Sequence, residues 1–152
     1  MTALSRAPIR AAIAALFTAE LTGSGKPSQA VYEQGNPGWQ HEAPVVIVRS
    51  SGSRRRGKFV GGSKGQNDFA FALQIYVPDA KPDGTWTDDQ AQDALDELEA
   101  RAADVVLANR RTADWLYLDW DNDYSAAESG IILNGFTYKR ETIILTTMVY
   151  DS

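Results

Sequence analysis

Arg54, Arg55, Arg56, Lys58 and Lys64 stand together in a stretch otherwise dominated by glycine and serine. Guanidinium and ammonium groups held this close have two main uses. They neutralise phosphates, or they pair with carboxylates on a protein partner. The stretch runs from Ser50 to Asn67, between two strand-like segments, and reads as a long flexible loop over about residues 50–67. Ordering it costs conformational entropy that its own small side chains cannot repay by burial. Such a loop persists because something outside the domain orders it, an assembly partner first and a polyanion second. A solvated basic hairpin with no partner is the plainer alternative.

Other groupings offer less. Asp119-Trp120-Asp121-Asn122-Asp123 has the alternating carboxylates that begin an EF-hand loop. Tyr124 then stands where glycine is required, and Gly130 stands where a bidentate glutamate is required, so a solvated turn is the better reading. Gly23-Ser24-Gly25-Lys26-Pro27-Ser28 fails the phosphate-loop spacing, with Glu20 and Pro27 at decisive positions. The single histidine, His41, has no nucleophile beside it and the chain has no G-x-S-x-G elbow. Without cysteine there is no thiolate chemistry, no disulfide and no cysteine-type zinc site. No enzyme, metal or cofactor is expected.

The elements that must position the basic residues are legible from periodicity. Helical spacing of Ile9, Ile13, Leu16 and Phe17 predicts a helix from Ser5 to Leu21, with Ser5 as N-cap and Pro8 in the first turn. Thr22–Ser28 reads as a turn, and Ala30–Glu33 and Pro44–Arg49 as strands. The β-branched run Val45-Val46-Ile47-Val48 suits burial on both faces. Alternation makes Asp68–Val77 the clearest strand. Phe69, Phe71, Leu73, Ile75 and Val77 form its core face, and Ala70, Ala72, Gln74 and Tyr76 form a second face suited to a helix or another subunit. A long helix is predicted from Thr87 to Asn109, opened by a Thr87/Gln90 capping box and closed by Arg110 and Arg111. Its buried stripe is Ala91, Leu95, Leu98, Ala102, Val105 and Val106. Trp115–Asp119, Ile131–Leu133, Phe136–Tyr138 and Thr142–Tyr150 read as strands, with Asn134-Gly135 as a hairpin turn. The four tryptophans, Trp39, Trp86, Trp115 and Trp120, lie in or beside loops and suit anchors at the edge of the core.

This pattern predicts one α+β domain, a mostly antiparallel sheet with two helices packed against it and a basic loop. The 152 residues, 43% hydrophobic, supply a core for one domain. No run approaches the roughly 20 apolar residues that span a bilayer, and residues 1–21 read as a helix of the mature fold and not as a leader. A net charge of −5 argues against a general nucleic-acid binder. The long helix is acidic, with Asp88, Asp89, Asp93, Asp96, Glu97 and Glu99. A basic loop and an acidic helix on one small domain suit head-to-tail contacts between copies, which close into rings.

The layout resembles the tail terminator (tail completion, head–tail joining) proteins of long-tailed bacteriophages. The residues that carry the resemblance are the Ile9/Ile13/Leu16/Phe17 helix, the Phe69–Val77 strand before Pro78-Asp79-Ala80, and the Trp86–Asn109 helix. The closing segment Gly135–Arg140 leading into Thr142–Tyr150 carries it too. The resemblance implies a hexameric ring that caps the tail tube, ends its polymerisation and presents a face to the neck of the head. Partners would be further copies of the chain, the tail tube protein and neck proteins. DNA would pass through the lumen without sequence-specific contact. The place would be the tail–neck junction of the virion, assembled in the bacterial cytoplasm. Arg54, Arg55, Arg56, Lys58 and Lys64 would then lie at a subunit interface or the lumen, and Asp88, Asp89, Asp93, Asp96 and Glu97 at the facing interface. Another neck connector or tube-related subunit fits the same pattern, and a small DNA-contacting protein using Arg54–Arg56 is the alternative of a different kind.

Overall fold

Large apolar side chains at every second position hold Gln66–Pro78 extended, and Phe69, Phe71, Leu73, Ile75 and Val77 are fully buried on one side of it. In this computed structural model, which describes residues 4–33, 44–56, 65–120, 125–133 and 135–150, that strand is the spine of an open six-stranded sheet. The elements in chain order are α1 (Ala7–Leu21), β1 (Ala30–Glu33), β2 (Val45–Arg56), β3 (Gln66–Pro78), α2 (Asp88–Ala108), β4 (Tyr117–Trp120), β5 (Ala126–Leu133) and β6 (Phe136–Tyr150). The sheet order is β1-β2-β3-β6-β4, with β5 also on β6. Among the described strands, only the β1–β2 pair is parallel. The architecture is α+β, mostly antiparallel, with two helices on the sheet, as periodicity predicts.

Both helices lie on the same side. α1 sets Ile9, Ile13, Phe17 and Leu21 over β1 and β2, while α2 sets Ala91, Leu95, Leu98, Ala102, Val105 and Val106 over β3, β6 and β4. Each fully buried aliphatic or aromatic side chain here contributes about 1.5–3 kcal/mol. The β-branched run of β2 is buried on both faces, as expected. Val46 and Val48 join the helix-side core, and Val45 and Ile47 join a second cluster with Tyr76 and Tyr138.

α2 begins as predicted. The Gln90 N–H donates to Thr87 Oγ1 (3.2 Å) and the Thr87 N–H donates to Gln90 Oε1 (2.8 Å). α1 begins two residues later than expected. Ser5 Oγ accepts from the Ala7 N–H (3.2 Å), but Arg6 holds the N-cap position without a side-chain bond. The predicted basic complement to the end of α2 is also absent, because Arg110 turns instead to Asp119 (3.0 Å) and the Tyr117 ring.

Two strand expectations are corrected. The segments Phe136–Tyr138 and Thr142–Tyr150 are one continuous strand, whose outer edge is shared by β5 along Phe136–Thr142 and by β4 along Leu145–Met148. The charged triplet between them broke the alternation pattern, yet Lys139 and Arg140 find carboxylates within the fold. The second correction is larger. Residues 50–56 and 66–67, expected in a flexible loop, belong to the β2–β3 ladder, where Arg54, Arg55 and Arg56 pair with Asp68, Asn67 and Gln66. Cross-strand backbone bonds outweigh the weak strand propensity of serine, glycine and arginine. Lys58 and Lys64 lie outside the described residues.

Candidate interaction surface

Side chains that point away from the helices form rows across β2, β3 and β6: Val45–Tyr76–Arg140, Ile47–Gln74–Thr142, Arg49–Ala72–Ile144, Gly52–Ala70–Thr146, Arg54–Asp68–Met148 and Arg56–Gln66–Tyr150. Among the described residues no helix packs on this face. At one end Tyr76 and Tyr138 meet edge to face at 6.0 Å, and Ile131, Leu133 and Phe136 of the β5–β6 hairpin pack against them. The other end opens into a shallow hollow of about 560 Å³, floored by Ala70, Thr146 and Met148 and flanked by Arg54, Arg56 and Tyr117. The second face of β3, expected to meet a helix or another subunit, meets no helix among the described residues.

A bulge at Ser50/Gly52 decides which arginines share this surface. Before it, Val45, Ile47 and Arg49 face outward; after it, Gly52, Arg54 and Arg56 do. Arg54 is exposed and holds no ion pair with a described residue. Arg56 pairs with Asp68 (3.3 Å), and Arg49 Nε donates to Gln74 Oε1 (2.6 Å). Arg140 bonds Glu128 (2.8 Å) and lies over the Tyr76 ring.

Arg55 points the other way. Its guanidinium donates to Asn67 Oδ1 (3.1 Å) and to the Leu4 carbonyl (2.9 Å) and stacks on Phe69, tying down the start of α1. Arg6 and Arg10 join it there, donating to Ser53 Oγ (3.1 Å) and Ser50 Oγ (2.7 Å), with Glu33 also on Arg10. The predicted basic group therefore splits, two arginines on the open face and one on the helix side. Arg49 and Arg140 escaped the sequence reading because they sit in separate strands. Only alternation outward from Ile47 and Thr142 hinted at their direction.

The expected acidic face of α2 splits as well. Asp88 holds Lys139 at 2.8 Å, Glu97 holds Arg101 at 3.2 Å, and Asp96 accepts from Gln92 (2.9 Å). Asp89 and Asp93 are exposed and hold no cation among the described residues. The Lys139 ammonium is buried but its pKa is raised, because the hydrogen bond it donates to Asp88 outweighs desolvation. Glu141, on the same strand and side, was not anticipated. Burial pushes its pKa up and the charges of Glu99 and Asp96 add to this, against a bond from Ser125; its Oε2 is shielded and has no hydrogen-bond partner among the described residues.

Trp115 and Trp86 anchor the edge of the core as expected, donating to the carbonyls of Asn109 (2.9 Å) and Pro78 (2.7 Å). Trp120 packs against the core from β4. Asp119, first of the run that invited calcium, is taken by Arg110, and residues 121–124 lie outside the described residues, as do Trp39 and His41. No protein-family model and no curated protein matches this chain.

Proposed function

We propose that this chain is a structural tail terminator: a ring-forming subunit that caps the tail tube of a long-tailed phage and presents the joining face to the head. The observation that carries the reading is the one-sided covering of the sheet. Both helices pack on the Phe71 side, while the opposite side is left to Ala70, Ala72, Thr142, Ile144 and Thr146 with arginines beside them. A strand face of small and half-buried apolar residues gains stability when another subunit covers it. The element order in which the resemblance was drawn is also the order of the fold. On this reading the mechanism is recognition, in which one ring face mimics the next tube ring and the other refuses it.

The test is electron microscopy of tails assembled in cells lacking this gene. Overlong tubes without heads are the expected result. Tails of normal length with unjoined heads would reassign the chain to a connector role, and tails of normal length joined to heads would sink the virion reading.

A further inference from the structure

The outward residues of α2 carry a charge pattern that fits the open face of a second copy. At about 100° per residue, Asp89, Asp93, Asp96 and Asp104 fall within an arc of about 80°, on the side of the helix opposite its buried stripe. All four are exposed. From Asp89 to Asp104 the stripe is about 22 Å long. On β2, Arg49, Arg54 and Arg56 form a row about 20 Å long on the open face, allowing for the bulge. No carboxylate lies on that face of β2, and the Asp68 carboxylate beside it is taken by Arg56 on Oδ2 and by the Gln66 amide on Oδ1. The single arginine of α2, Arg101, is paired to Glu97 and lies off the stripe.

We infer that the arginine row of β2 is the seat for helix α2 of a second copy of this chain, with Arg49 facing Asp104, Arg54 facing Asp93 and Arg56 facing Asp89. The small residues Gly52, Ala70 and Ala72 keep the strand surface low beside the row, and the hollow flanked by Arg54 and Arg56 admits the incoming helix. Within one copy the two charge sets cannot meet, since the sheet stands between them. Two open faces placed together by a twofold axis would oppose arginine to arginine. Head-to-tail contact is the arrangement that pairs opposite charges, and repetition of it closes a ring when the rotation permits. The inference rests on the ring reading above and names the two surfaces that meet.

Because the chain has no native cysteine, a double variant Arg54→Cys/Asp93→Cys of the full chain tests it directly. Mild oxidation should give a ladder of disulfide-linked multimers on a non-reducing gel. An Arg54→Cys/Ala19→Cys control, with its second thiol on the exposed side of α1, should stop at scattered dimers. Equal ladders from both, or none from the first, overturn the inference. Charge reversal supplies a second arm. Arg54→Glu/Arg56→Glu and Asp89→Arg/Asp93→Arg should each self-associate on the order of 10-fold more weakly, and an equimolar mixture should recover the wild-type mass by light scattering. A mixture that stays dissociated overturns the pairing, and so does an Arg54→Glu/Arg56→Glu chain that associates normally but loses binding to a short DNA duplex. Normal tails in cells lacking the gene, beside an intact cysteine ladder, would remove the capping role and leave the pairing; overlong tails without the ladder would do the reverse.

Discussion

Glu141 shows how one residue records the cost of the helix layer. Its carboxylate lies on the side of β6 that α2 covers, with Asp96 and Glu99 of that helix adding like charge and Ser125 supplying a bond to one oxygen. The folded pKa stands above the ordinary 4.5, so the folded state favours the protonated form. The ionised carboxylate is therefore destabilising above the folded pKa, and stability rises as pH falls through that value toward 4.5. Glu141→Gln should stabilise the chain at pH 7 by about 0.5–1 kcal/mol, discounted for partial exposure, and flatten that part of the pH profile in urea denaturation. An unchanged profile would mean that the carboxylate is fully solvated. Lys139 is the opposite case: Asp88 satisfies it, and the benefit is lost only as pH rises through a folded value above 10.5.

At the scale of elements, α2 is the part most readable in advance. Its cap, its buried stripe and its length follow from local chemistry, because one side of a helix is set by 3.6-residue spacing alone. Replacing Thr87 with alanine removes one arm of the capping box and should cost about 1 kcal/mol in equilibrium unfolding. β2 was less readable. Ser50-Ser51-Gly52-Ser53 and the arginines after it have little strand propensity, and they are extended because β3 offers an adjacent ladder. The bulge then reverses which residues face outward, so that Arg54 and Arg56 join Arg49 while Arg55 turns toward α1. A regular strand would have put Arg55 on the outer face.

For the molecule as a whole, the net charge of −5 conceals a separation. The carboxylates of α2 lie on one side of the sheet and the arginine row lies on the other. Charges arranged this way repel a copy turned face to face and attract one set head to tail. Self-association through them should weaken on the order of 10-fold as salt is raised from about 0.05 to 0.5 M, measured by sedimentation. Association indifferent to salt would point to an apolar contact in its place.

Composition and periodicity alone determined the α+β class, both helices, the buried stripe of α2 and the core face of β3. These follow from interactions between residues a few positions apart, which any sequence displays. The tertiary structure decided the rest: the long β2–β3 ladder, the single β6, the division of Arg54, Arg55 and Arg56 between two sides, and the gathering of Arg49 and Arg140 onto the open face. Each of those depends on which strand lies beside which and in what register, and register is set by the packing of distant segments and not by the residues that it places.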